Sequence, residues 1–354
     1  MKLLMLTKYG PLAASTRTWF HQYVPYLEQA GIDVTISPLL DDDYLHRLYG
    51  GQPVSKAAVL RGYLRRLRHL LRAGAFDLLW IQFELLPYLP AWAERWLVWR
   101  GVPYVVNYDD AIFHRYDRSP NRLIRTLLSK KIATVMRHSA LVIAGNAYLA
   151  DYARQAGARR VEHLPTVIDL TRYTVKPPQQ SDVLTIGWIG SLTTTPYLKL
   201  IEDALATLAD ESPVRLLLVG AGPLALDDVP VERHAWSEAT EVDSIHQMDI
   251  GVMPLEDTVW ERGKCGYKLI QYMACRLPVV SSAVGVNPQI VDDGVNGFLA
   301  TTTDEWLAAF RSLRDSVDLR ERMGMAGRRK VEQHYNSDVT APQLIQWLRE
   351  VAHS

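Results

Sequence analysis

The chain has 354 residues, 48% of them apolar and 22% charged, with 39 Lys+Arg against 39 Asp+Glu. That length suggests about two domains, and the composition supports ordinary cores rather than a disordered chain. Two cysteines, Cys265 and Cys275, exclude a disulfide framework and do not have the spacing of a zinc site, so a reducing, cytoplasmic setting is expected.

The N-terminal MKLLMLTKYG has too short an apolar run for a signal peptide, and no run approaches the ~20 residues of a membrane span. The expectation is a protein that is soluble or sits on a membrane surface. The balanced charge hides an asymmetry. Residues 1–176 carry 24 Lys+Arg and 14 Asp+Glu, and residues 177–354 carry 15 and 25. Two halves of opposite sign suggest domains with different partners, the basic one facing nucleic acid, an anionic membrane or an acidic substrate.

Along the first half, KLLMLT, VTISPL, DLLWIQF, PYVVNY and ALVIAG read as short apolar strands. Between them lie helical stretches such as SKAAVLRGYLRRLRHLLRAG and NRLIRTLLSKKIATVMRHS. Asp41-Asp42-Asp43 reads as a turn. The polar segment 171–182, with Pro177-Pro178, reads as a linker. The pattern then restarts with LTIGWIG, VRLLLVG, DIGVMPL and PVVSS, and the chain is helical from Asp304 onward. Strands alternating with helices indicate an α/β fold of two doubly wound parallel sheets. Ligands of such sheets bind beyond the carboxyl ends of the strands, so the loops there hold the candidate chemistry.

The stretch WERGKCGYKLIQYMACRLPVVSS combines three of these signals. At ~100° per residue from Gly266, Lys268, Gln271 and Cys275 share one face, and Leu269, Ile270, Met273 and Ala274 the opposite, core-facing one. Arg262, Lys264 and Lys268 gather positive charge where free backbone N–H groups and the helix dipole already favour an anion. This suits a phosphate; the plain alternative is a solvated helix face behind a flexible loop. The loop GSLTTT offers Gly190, Ser191 and Thr194 to a diphosphate, or else caps the helix that follows. In the first half, Asp109, Asp110 and His114 end a strand and could orient a hydroxyl, unless Asp110 only caps a short helix. Ser15 and Arg17 lie in the first loop. Trp236 follows a strand and either borders a ligand or simply packs, and Trp188 reads as core. Arg61, Arg65, Arg66, Arg68 and Arg72, opposite Leu60, Leu64, Leu67, Leu70 and Leu71, make a basic amphipathic helix.

The order VRLLLVGAG, DIGVMPL, GYKLIQYMACRLPVVSSAVG, IVDDGVNGFLA resembles the nucleotide-sugar half of family 4 (group 1) glycosyltransferases, specifically in residues 249–299 and more loosely before 180. The resemblance implies a GT-B fold of two Rossmann-like domains with a cleft between them. It places an acceptor-side domain at 1–174, a nucleotide-sugar domain at 175–336, and a C-terminal helix, 337–354, packing back on the first. It implies retaining transfer of a sugar from a nucleotide diphosphate to a hydroxyl, in polysaccharide, glycolipid or glycoconjugate biosynthesis of the cell envelope. Asp110, His114, Lys264 and Lys268 would be catalytic. Gly190, Ser191, Thr194, Trp236, Arg262, Gly266, Tyr267 and Gln271 would bind the donor, and Gly10, Ser15, Arg17 and Asp109 would lie on the acceptor side.

A nucleotide sugar would be the co-substrate and a sugar, lipid-linked or small molecule the acceptor. The same resemblance implies no metal and no other cofactor, and no nucleic acid is expected. The basic helix of Arg61 to Arg72 either packs on the sheet as a plain surface helix or, with a lipid-linked acceptor, holds the protein to the anionic inner face of a membrane. The family usually carries two glutamates eight positions apart; here Gly263 and Gln271 stand there. Glu261 is two residues from the first position, and the Gln271 amide retains hydrogen-bonding capacity at the second. The missing glutamates also admit a non-catalytic nucleotide-sugar-binding protein, and a nucleotide-sugar epimerase-like enzyme is the other alternative.

Overall fold

The computed structural model describes residues 1–175, 182–226 and 228–353. The expected linker falls partly outside these residues, at 176–181. The described chain forms two compact units. The first comprises Met1–Thr166, Gly263–Cys265 and Ser337–Ser354; the second comprises Val167–Arg262 and Gly266–Asn336.

The first unit holds β1 (Lys2–Thr7), β2 (Asp33–Pro38), β3 (Leu78–Gln82), β4 (Tyr104–Tyr108), β5 (Leu141–Ala144) and β6 (Val161–His163) in the order β2-β1-β3-β4-β5-β6. Every pairing is parallel. The central runs are apolar because helices cover both faces of such a sheet, and β3, β4 and β5 are buried throughout. The second unit repeats the plan with β7 (Leu184–Ile189), β8 (Val214–Val219), β9 (Val231–His234), β10 (Ile250–Met253), β11 (Val279–Ser282) and β12 (Gly297–Ala300), in the order β12-β11-β10-β7-β8-β9. Edge strands β6 (VEH) and β12 (GFLA) were not among the expected runs. Each is short and only partly buried, so it carries little apolar signal.

In each sheet the strand order reverses at one place, between β1 and β3 and between β7 and β10. Such switch points open a crevice at the carboxyl ends of the strands. Lys8 and Glu84 follow β1 and β3; Gly190 and the segment from Pro254 follow β7 and β10.

Three local expectations need correction. Asp41 is the N-cap of helix Asp42–Tyr49, accepting the Tyr44 N–H at 3.2 Å, rather than part of a free turn. Tyr173, inside the expected linker, is buried and belongs to the second unit's core. The basic helix, Lys56–Leu71, does not divide into arginines outside and leucines inside. Arg66 is buried and donates to the carbonyls of Thr7, Ser37 and Leu85, whereas Leu60, Leu64 and Leu71 are 61%, 48% and 73% exposed. At ~100° per residue the helix carries three stripes: Gly62, Arg66 and Leu70 inward, then Leu60, Leu64 and Leu71, then Arg61, Arg65, Arg68 and Arg72.

The C-terminal helix Ser337–Ala352 packs within the first unit. The Tyr23 hydroxyl meets Thr340 Oγ1 at 2.8 Å, the Tyr26 hydroxyl donates to Asp338 at 2.6 Å, and Arg160 pairs with Glu350 at 2.9 Å. Among the described residues no helix is long and apolar enough to cross a membrane.

Candidate functional site

In the second unit, helix Tyr267–Ala274 begins where the sequence places it. Gly266 is its N-cap at φ +67°, a conformation other residues adopt with strain. Lys268 lies in the first turn. Its ammonium is 4.4 Å from the centroid of the Trp188 ring and 3.4 Å from Thr194 Oγ1. Trp188 is core, 1% exposed, as expected. Gly190 permits this approach: a Cβ there would lie 2.3 Å from the Trp188 ring and 3.0 Å from the Lys268 ammonium. The loop between is pre-formed. The Ser191 N–H donates to Thr194 Oγ1 at 3.2 Å, and Ser191 Oγ meets Thr193 Oγ1 at 3.1 Å. Lysine, hydroxyls and a helix N-terminus thus converge at the β7/β10 switch point, a combination suited to a phosphate.

The rest of that helix differs from the expectation of a polar stripe. Gln271 and Cys275 are buried along with Leu269, Ile270, Met273 and Ala274. The Gln271 amide donates to the Tyr173 hydroxyl at 2.9 Å. That hydroxyl donates to Glu241 at 2.5 Å and lies 3.1 Å from the Tyr267 hydroxyl. Trp236 joins the same network, its indole N–H donating to Glu241 at 2.7 Å. Arg262 is held by Asp257 at 2.7 and 3.0 Å. Glu261, two residues from the position where the resembling family has a glutamate, is buried and accepts from the Tyr197 and Thr258 hydroxyls. Gly263 itself has no room for a side chain, since a Cβ would lie 2.7 Å from the Ala111 nitrogen.

In the first unit the ends of β1, β3 and β4 bring several charges together. Lys264 belongs here, with its carbonyl accepting from the Asn146 amide at 3.0 Å. Asp109 Oδ1 is shut off from solvent and has no hydrogen-bond partner among the described residues. Burial first, then the neighbouring Asp110 charge, push its carboxyl up to about 7, with Lys264 pulling the other way. Asp110 accepts its neighbour's N–H, that of Ala111, at 3.0 Å and does not cap the short helix His114–Asp117. Both ring nitrogens of His114 are engaged, Nδ1 with Asp117 at 2.9 Å and Nε2 with the Tyr148 hydroxyl at 2.7 Å. In the first loop, Gly10 O accepts from Ala13 N–H at 3.2 Å, and Ser15 Oγ accepts from Gln82 at 3.3 Å. Arg17 is buried and donates to the Pro11 and Leu12 carbonyls, which fixes the loop.

The sequence reading missed Lys8, Glu84, Arg115 and Lys131. Glu84 and Lys131 form a buried ion pair; Glu84 also accepts from the Tyr116 hydroxyl at 2.7 Å, and Lys131 donates to the Leu86 carbonyl. The available signal was position: Lys8 directly follows β1, and Glu84 is the second residue after β3. Among the described residues no group of three or more His, Cys, Asp or Glu side chains is placed to hold a metal ion.

Two units, each with a six-stranded parallel sheet, define the GT-B architecture of glycosyltransferases. Residues 15–166 match the family described as "Glycosyl transferase 4-like domain" and residues 183–316 that described as "Glycosyl transferases group 1", and the chain belongs to the group 1 glycosyltransferases. Among solved structures, it is similar to sucrose-phosphate synthase from Thermosynechococcus elongatus, at 14% identity and TM-score 0.70 over 100% of both chains. It is also similar to the Anabaena protein HepE in complex with UDP and glucose, at 17% identity and TM-score 0.70 over 99% of each chain. A relative, N-acetyl-alpha-D-glucosaminyl L-malate synthase of Bacillus anthracis, is 26% identical over 146 residues, which is 39% of this chain and 38% of that relative's length.

Proposed function

We propose that this protein transfers a sugar from a nucleotide-diphosphate sugar to a hydroxyl acceptor, with retention at the anomeric carbon. The observation that carries the reading is the Lys268 ammonium beside Thr194 and the Tyr267–Ala274 N-terminus, at the switch point of the second sheet. Charge grows on the leaving diphosphate in the transition state, and a preorganised cation and helix N-terminus stabilise it there. HepE, a structural neighbour, was crystallised with UDP and glucose, which supports a nucleotide-sugar donor here. No protein nucleophile is required if the donor phosphate takes the acceptor proton. Asp110, with Asp109 beside it, orients the acceptor hydroxyl, and Lys264 favours the charged form of Asp109 against its burial.

A lipid-linked acceptor in cell-envelope synthesis fits the helix Lys56–Leu71. Its exposed leucine and arginine stripes suit the anionic inner face of a membrane, a peripheral cytoplasmic setting. The test is a panel of nucleotide sugars scored for free nucleotide release with and without candidate acceptors. Acceptor-dependent release with an unchanged anomeric configuration is expected; tight nucleotide binding without turnover on any acceptor would overturn the reading.

A further inference from the structure

We propose that Lys8 and Arg115 form a subsite for an anionic group, a carboxylate or a phosphate, on the acceptor. This rests on the transferase reading and narrows its acceptor to a hydroxyl compound that carries a negative charge.

Lys8 directly follows β1 at the β1/β3 switch point, where a parallel sheet receives its ligand. Its backbone is fixed: the Lys8 N–H donates to Gln82 at 2.9 Å, and its carbonyl accepts from Leu40. The residue is 9% exposed. Its ammonium makes a ring contact with Tyr9, 5.2 Å from the centroid, and has no hydrogen bond or ion pair among the described residues. Burial of an unpaired ammonium costs free energy, so a stable fold leaves one only where something else compensates.

The charges acting on Lys8 are Arg115, Glu84, Asp110 and Lys131. Lys131 is already paired with Glu84. Arg115, on the helix His114–Asp117, likewise has no side-chain hydrogen bond or ion pair among the described residues. Of the three cations, Lys8 and Arg115 are the two without a side-chain hydrogen bond or ion pair among the described residues. Burial, then Arg115, depress the ammonium to about 8, which leaves it mostly protonated at neutral pH.

Asp110 opposes an anion beside it, and this sets the shape of the ligand. A hydroxyl of the acceptor turns toward the Asp110 carboxylate while its anionic group turns toward Lys8 and Arg115. A neutral acceptor would leave the ammonium uncompensated, so the subsite selects for charge as well as for reach.

The test is equilibrium dialysis of the full chain with inorganic phosphate and, separately, with succinate, at matched ionic strength and with UDP present to occupy the donor site. One saturable equivalent of one of the two anions is expected, and the anion that binds distinguishes a phosphate from a carboxylate acceptor. Lys8→Met and Arg115→Gln should each weaken that binding about tenfold or more, the loss of one charged hydrogen bond. Lys8→Met should also melt at or above the wild-type temperature in the absence of anion, because it removes a buried unpaired charge; a purely structural lysine would give a lower melting point. Absence of saturable binding by either anion, or binding indifferent to both substitutions, would overturn the proposal. Turnover of nucleotide sugar is scored separately, so a failed transferase reading is distinguishable from a failed anion site.

Discussion

At the scale of single residues, two side chains carry opposite commitments. Lys268 keeps its ammonium at a helix N-terminus, 3.4 Å from the Thr194 hydroxyl and over the Trp188 indole face. Lys268→Ala should therefore lower turnover by more than about tenfold, since a charged hydrogen bond to phosphate contributes roughly 1.5–3 kcal/mol. An unchanged circular dichroism spectrum would accompany it, and near-normal rates would remove this lysine from the donor site. Asp109 shows the reverse problem, a carboxyl held away from its charged form. Its folded value of about 7 lies above the ordinary 3.8, so the native state binds more protons than the unfolded chain between those values. Its contribution to stability is thus present in full below about pH 4, falls as pH rises, and is gone above about pH 7. Asp109→Asn should accordingly gain on the wild type in thermal melts as pH rises through that window, by at most roughly 4 kcal/mol, and the gain should level off above pH 7. A difference that does not vary with pH would show that Asp109 is ionised at ordinary carboxylate values.

At the scale of elements, the helix Lys56–Leu71 has an architecture that helical periodicity alone misassigns. Its inward face is set by Arg66, whose guanidinium satisfies three backbone carbonyls, and this displaces the leucine stripe toward solvent. Four exposed positions, Arg61, Arg65, Arg68 and Arg72, then flank an apolar band. Each basic residue near an anionic surface contributes about 1 kcal/mol, within a Debye length of ~8 Å at physiological salt. The protein should sediment with anionic vesicles and not with neutral ones, and raised salt should release it. Leu64→Asn together with Leu71→Asn should weaken that attachment while leaving the fold intact, because both side chains are already in water. Equal sedimentation with both vesicle types would return this helix to an ordinary surface element.

At the scale of the whole molecule, the basic half of the chain holds Lys8, Asp110 and the Lys56–Leu71 helix, and the acidic half holds Lys268 and the GSLTTT loop. Donor nucleotide should raise hydrogen-exchange protection in residues 190–195 and 266–271, with stabilisation of about 2.7 kcal/mol at a hundredfold excess over Kd. Protection that rises instead around Lys8 and Asp109 would assign the nucleotide to the first unit and overturn the donor site at Lys268. What the sequence by itself determined were the properties set by neighbours along the chain: the strand–helix alternation, the two parallel sheets, the helix start at Gly266, the buried Trp188 and the cation in the first helical turn. Period, glycine and β-branched runs are local signals, and they survive folding unchanged. Only the tertiary structure decided which polar groups are already engaged. Gln271 meets Tyr173 across 98 positions of sequence, Arg66 meets Thr7 across 59, and Asn146 meets Lys264 across 118. The isolation of the Lys8 ammonium was hidden for the same reason: whether a charge is compensated depends on groups that chain folding brings to it, and no pattern of nearest neighbours encodes their absence.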